Sequence, residues 1–156
     1  MPKAYILVGI PGSGKSTWIA TQSFDWDRTV IASTDNHVEK FAKSLGKTYS
    51  DVFKDYMPRA INQMNSDVSN AIANNYDIVW DQTNTSAGVR RKKLSSLPSS
   101  YEKIAVVFQT PEKTELDRRL ASRPGKTIPP EVITSMQNSF QEPSESEGFD
   151  KIIYIK

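Results

Sequence analysis

The sequence of 156 residues has no cysteine, so disulfides, thiolate chemistry and cysteine-ligated zinc are excluded. Its one histidine, His37, reads as a surface or structural residue, although its closeness to Asp35 leaves acceptor contact open. Neither sign of charge dominates: 20 basic and 18 acidic side chains give a net charge of +2, which neither demands nor excludes a nucleic-acid partner. No apolar run approaches the length of a membrane span or signal segment, so a cytoplasmic protein with no membrane contact is expected. There is no internal repeat, no low-complexity tract and no feature implying a protein partner. A chain of this length, 37% apolar and 24% charged, is expected to form one globular domain over residues 1–156 with a single sizeable core. The N-K-x-D signature of guanine recognition is missing, and a mechanical ATPase usually needs more chain. Nor is a stacking module for nucleic acid visible: Trp80, Tyr101 and Phe140 read as core residues.

What is present is Gly9-Ile10-Pro11-Gly12-Ser13-Gly14-Lys15-Ser16-Thr17, the P-loop pattern G-x-x-x-x-G-K-[ST], between an apolar strand-like run and a helix-compatible segment. Gly9, Gly12 and Gly14 let the backbone turn so that successive N–H groups, with Pro11 and Ser13 between them, can converge on phosphate oxygens at a helix N-terminus. Lys15 would reach the β- and γ-phosphates of ATP, Ser16 would place a hydroxyl on Mg²⁺, and Thr17 would help hold the phosphates. The plainer alternative is a glycine turn followed by a solvated lysine.

Five β-rich runs, at 4–8, 29–32, 77–80, 103–108 and 151–155, alternate with helical patterns, which predicts an α/β fold with a parallel sheet and helices on both faces. Ligands of such sheets gather at the carboxyl ends of the strands. The second strand, expected near the P-loop strand, delivers Ser33-Thr34-Asp35 and then a polar helix stopped by Gly46. A long amphipathic stretch over 50–74 repeats Val52, Phe53, Tyr56, Met57, Ala60, Ile61, Met64, Val68, Ala71 and Ile72 at helical spacing and predicts a buried face. Pro58 is expected to kink that helix or to begin a second one. Further helices are predicted after Ser86, from Thr110-Pro111-Glu112, and from Pro130-Glu131, before an acidic loop over 141–148.

A phosphotransferase needs an acceptor base beside the phosphates and a basic lid over them. Asp35 is the candidate base, with helix capping as the alternative. Arg119 and Arg123, four residues apart, are expected on one helical face at the edge of a loop broken by Pro124 and Gly125, where they could neutralise the transferring phosphoryl group. A solvated helix C-terminus is the alternative, and Arg118 and Lys126 are expected to face solvent. Asp81 could orient Mg²⁺ or satisfy backbone groups of its turn. Thr83 and Asn84 could contact the acceptor. Arg90-Arg91-Lys92-Lys93 could follow a phosphate backbone or form a wet helix surface.

In order along the chain, these residues resemble the kinase domain of the polynucleotide 5'-hydroxyl kinases of phage and animal type. The P-loop through Trp18, Asp35, Asp81-Gln82-Thr83-Asn84 followed by Arg90-Arg91, Thr114-Glu115-Leu116 with Arg119, Arg123 and Pro129, and Phe140-Gln141-Glu142-Pro143 with Glu147-Gly148-Phe149-Asp150 carry the likeness. It spans nearly the whole chain, without the phosphatase domain that accompanies many members. It implies a P-loop kinase fold with the P-loop strand central and a small helical lid, Asp35 as general base, and Arg123 on the transferring phosphate. It also implies γ-phosphate transfer from ATP to a nucleic-acid 5'-end. At Val38 the phage kinases carry an arginine that holds the acceptor's adjacent phosphate. A nucleoside, modified base or other small-molecule hydroxyl, and a nucleotide-binding regulatory module, are the other readings.

Overall fold

β-Branched and aromatic residues at the predicted runs form five strands because both faces of a parallel sheet are covered and only near-continuous apolar sequence survives there. The computed structural model describes residues 1–155. The strands are β1 (Lys3–Val8), β2 (Thr29–Ala32), β3 (Asp77–Trp80), β4 (Glu102–Phe108) and β5 (Lys151–Ile155), all parallel, in the order β2-β3-β1-β4-β5. The P-loop strand β1 is therefore central. The Asp35 strand β2, expected near the P-loop strand, lies one strand removed from it, with β3 between them.

The helices are α1 (Lys15–Thr21), α2 (Thr34–Ser44), α3 (Tyr49–Ala73), α4 (Ala87–Ser96), α5 (Lys113–Ala121) and α6 (Pro130–Asn138). Alternation along β1 divides the core. Ala4, Ile6 and Val8 point to α3 and α4, meeting Met64, Val68, Ala71 and Leu94, while Leu7 joins Ile19 of α1, Val106 and Phe108 on the opposite face. Trp80 and Tyr101 are buried, as their sequence reading requires. Among the described residues no helix is long and apolar enough to cross a membrane.

Two expectations for α3 are corrected. Of the two outcomes expected at Pro58, the start of a second helix is overturned: one helix runs through it. Pro58 and Lys54, whose carbonyl loses its partner, both lie on the exposed side, where water can serve that oxygen. Buried side chains before and after it, Val52 and Ala60 against α2 and Met64 to Ala71 against the sheet, hold the element together. Phe53 and Ile61, expected in the core, stay 41% and 42% exposed, since each sits one residue, about 100° of helix, beyond the buried Val52 and Ala60 and so falls at the edge of the packed face.

The basic run in α4 is not a stripe. Arg90 is fully buried, donating from Nε and Nη2 to the Glu147 carboxylate at 2.8 and 3.1 Å and from Nη1 to the Asn84 carbonyl at 2.8 Å. It thereby ties the turn after β3 to the acidic loop. Arg90→Met is expected to lower folding stability by about 2–3 kcal/mol, because a charge-assisted network is left half satisfied. Arg91→Met, at an exposed site, should stay within about 0.5 kcal/mol. Denaturant unfolding of both variants checks the pair.

Candidate active site

Four segments meet at the carboxyl end of the sheet: the P-loop after β1, the first turn of α2, the turn after β3, and the loop of residues 122–129 between α5 and α6. Together with the start of α3 they enclose a cleft of about 1280 Å³.

The P-loop is held from behind. The Gly9 N–H donates to the Thr83 carbonyl at 2.9 Å, and Asn84 Nδ2 donates to the Leu7 carbonyl at 2.7 Å. A Cβ on Gly9 would stand 2.5 Å from Ser13 Oγ, and one on Gly12 would stand 2.9 Å from Leu116 Cδ1. Gly12 and Gly14 have φ of +83° and +104°, backbone that side chains rarely adopt. The leading N–H groups of α1 have no intrahelical acceptor, and its N-cap, Gly14, supplies no side-chain cap. The Ser13 hydroxyl is buried without a partner. Such donors around a cradle free of side chains fit a polyphosphate.

Lys15 curls over this cradle, donating to the carbonyls of Gly9 and Ile10 at 2.8 and 2.9 Å. Burial pulls its pKa down to about 8, with Asp81 acting in the opposite sense. Burial pushes the Asp81 carboxyl above its ordinary range even though Lys15 opposes the shift. A buried, undercompensated carboxylate that shares the cleft with the Ser16 hydroxyl fits a divalent cation completed by phosphate oxygens and water. Ser16 and Asp81 are the residues that could hold Mg²⁺. Thr17 lies exposed on the first turn of α1, outside the cleft lining.

Asp35 does not cap its helix. Ser33 does, its hydroxyl accepting from the Asn36 N–H at 3.1 Å, so the Asp35 carboxylate is left to face the cleft. One oxygen accepts from the Tyr49 hydroxyl at 2.7 Å and the other from Lys126 Nζ at 3.1 Å. Burial, then the bond to Asp35, pushes the Tyr49 phenol far above its ordinary value and keeps it a donor. Tyr49 and Lys126 are site residues that sequence reasoning missed. His37 points elsewhere, its Nε2 lying 2.7 Å from Asp67 of α3, and it lies outside the cleft lining.

Loop 122–129 is fastened to the start of α3. The Ser50 N–H donates to the Gly125 carbonyl at 3.0 Å, and the Thr127 N–H to Ser50 Oγ at 3.1 Å. Lys126 does not face solvent. Besides Asp35 it reaches Glu39 at 3.4 Å, and its ammonium lies 4.5 Å from the centre of the Tyr49 ring.

Arg119 and Arg123 are not on one helical face, because α5 ends at Ala121 and Arg123 belongs to the loop, where it lines the cleft. Arg119 stays outside, donating to the Gly12 carbonyl at 2.9 Å and to Glu115 at 2.8 Å. It braces the P-loop's outer side. Thr83 lines the cleft, whereas Asn84, expected to contact the acceptor, is buried and used by the fold. Its φ of +47° sets the turn after β3, a conformation asparagine tolerates better than most residues.

Known proteins share this fold. The Pnkp1/Rnl/Hen1 RNA repair complex contains a chain 26% identical, with a TM-score of 0.67 over 88% of this chain and 43% of that one. A fungal RNA kinase is 18% identical, with a TM-score of 0.61 over 100% of this chain and 38% of that one. A gluconokinase from Sinorhizobium meliloti 1021 is 16% identical, with a TM-score of 0.55 over 99% of this chain and 82% of that one. The last two speak for the fold alone. This chain spans less than half the length of the RNA repair and fungal RNA kinase chains. A family match over residues 5–143 takes in the P-loop, the turn after β3 and the basic loop together, and by it the chain belongs to the AAA domain family, folded as a P-loop kinase-type domain.

Proposed function

We propose that this chain is an Mg²⁺- and ATP-dependent kinase that transfers the γ-phosphate of ATP to a 5'-hydroxyl end of DNA or RNA. The observation that carries this reading is the opening of Lys15 and Asp35, from separate elements, into one cleft that also receives Asp81 and Arg123. The P-loop N–H groups and Lys15 hold the donor phosphates, and Arg119 keeps the loop in shape through the Gly12 carbonyl. Ser16 and Asp81 would hold Mg²⁺, which when bound would neutralise charge on the phosphates.

Asp35 takes the proton of the acceptor hydroxyl as that oxygen bonds to the γ-phosphorus, and the bond to the departing ADP breaks. Tyr49 fixes the carboxylate's orientation through one oxygen. The other oxygen meets the hydroxyl once Lys126 leaves it for the more negative phosphates. Arg123, from the same loop, neutralises charge on the moving group.

The test is label transfer from γ-labelled ATP to 5'-hydroxyl oligonucleotides, nucleosides, sugar acids and water. Label on the oligonucleotide 5'-end supports the proposal. Label confined to small hydroxyl compounds supports a small-molecule kinase, the reading that buried Val38 favours, since it cannot reach an acceptor phosphate. ATP binding with no transfer at all would leave a nucleotide-binding regulatory module.

Donor binding should also depend on pH in a set direction. Lys15 in the free protein has its pKa lowered to about 8, and polyphosphate selects the charged form. Affinity for ATP is therefore expected to be level between about pH 7 and 8, above the range in which the terminal phosphate takes up its own proton. Above about pH 8, affinity should fall by about tenfold per pH unit, the limit for uptake of one proton. Calorimetry at pH 9 in buffers of different ionisation heat should register that proton. An affinity level up to pH 10 would contradict the assignment.

A further inference from the structure

The cleft is larger than the roughly 300–1000 Å³ that holds one small ligand, so there is room beside the donor. Part of that room is walled by Phe53, an aromatic ring on the core-facing period of α3 that remains 41% exposed and lines the cleft. Phe53 packs on Tyr49 with ring centres 5.3 Å apart, and the Tyr49 hydroxyl donates to Asp35 at 2.7 Å. A flat apolar surface is thus linked, through one side chain, to the carboxylate that receives the acceptor's proton. The Lys126 ammonium already lies over the Tyr49 ring. Phe53 is the ring that remains open.

Two cations line the same cleft farther along: Lys43 in the last turn of α2 and Lys47 in the turn that leads to α3. Asp35 and Lys43 are eight residues apart on α2, two turns of one helical face and about 12 Å. Val38, between them in sequence, is fully buried with Ala42, Val52 and Ala60 and offers no charge. Carboxylate, aromatic ring and two lysines therefore line one cleft, on α2, α3 and the turn between them.

Resting on the kinase reading, we propose that the first nucleobase of a single-stranded acceptor stacks on Phe53, while Lys43 and Lys47 take the phosphates that follow. The platform selects a nucleotide-bearing hydroxyl over a sugar acid. Because every base has a π-face, it does so without reading sequence.

The test uses a 5'-hydroxyl oligodeoxynucleotide labelled at its 3'-end, and the same strand with an abasic first position. Their binding is measured by anisotropy with a non-hydrolysable ATP analogue and Mg²⁺ present. The wild-type protein should bind the intact strand about tenfold more tightly than the abasic one. Phe53→Ala should erase that difference, Phe53→Trp should keep it, and both should bind the ATP analogue as wild type does. Lys43→Ala with Lys47→Ala should leave the base preference intact but reduce the slope of log affinity against log salt by about 0.7 per lost phosphate contact.

Equal binding of the two strands by the wild type, or no binding of either, overturns the proposal. So does a Phe53→Ala protein that loses the ATP analogue instead, which would give the ring to the donor's adenine. If the base preference is present but the wild type transfers no label to the strand, the kinase reading fails and the platform stands.

Discussion

Lys15→Ala is expected to lower label transfer from γ-labelled ATP by about a thousandfold or more, whichever acceptor is used, the order found for a cation placed on a transferring phosphoryl group. The side chain already reaches over the cradle, bonded to the carbonyls of Gly9 and Ile10. With the triphosphate seated in the cleft, no bulk water would replace the lost ammonium. The fold should survive, because those carbonyls can turn to water once the cleft is emptied of the side chain. Circular dichroism and thermal unfolding would confirm that, and a Lys15→Ala protein with full transfer would end the donor assignment.

The second large effect concerns Asp35. Asp35→Asn should cut transfer by about 10²- to 10⁴-fold, the range for loss of a positioned general base, while binding of an ATP analogue persists. The amide keeps an acceptor for the Tyr49 hydroxyl, so the loss is chemical more than structural. The competing explanation is that Asp35 serves only to pin loop 122–129 through Lys126. Lys126→Met breaks the same ion pair and spares the carboxylate. It should retain far more transfer than Asp35→Asn, and equal losses in the two variants would assign Asp35 to the loop.

Elements built from local signals were readable in the residues. The five strands fall within one residue of their predicted limits because β-branched runs such as Ile104 to Val107 can be buried on two faces in no other way. The P-loop is equally plain, since its glycines and lysine all lie between residues 9 and 15. What escaped were pairings between distant positions. Lys126 meets Asp35 across 91 residues, and nothing around a lysine after Pro124 and Gly125 says which carboxylate it will find. Arg90 reads as one of four surface cations until Glu147, 57 residues later, closes on it. Periodicity places Phe53 in the core because it marks a broad apolar face, not where the neighbouring helix ends across its width: Val52 is buried against α2 and Phe53, about 100° round, is left at the edge. Gly125 gives the one local hint: at φ +67° with Thr48 2.7 Å from where its Cβ would be, it marks a loop pressed against α3.

The burial of Val38 has an evolutionary reading. An arginine there would have to push its guanidinium between two closely packed helices, beside alanines at 42 and 60 that leave no channel to the surface. One codon change therefore cannot convert this floor into the phage-type grip. Under the proposed acceptor reading, cations for this floor belong at the rim, where lysines such as Lys43 and Lys47 leave the tight seam undisturbed.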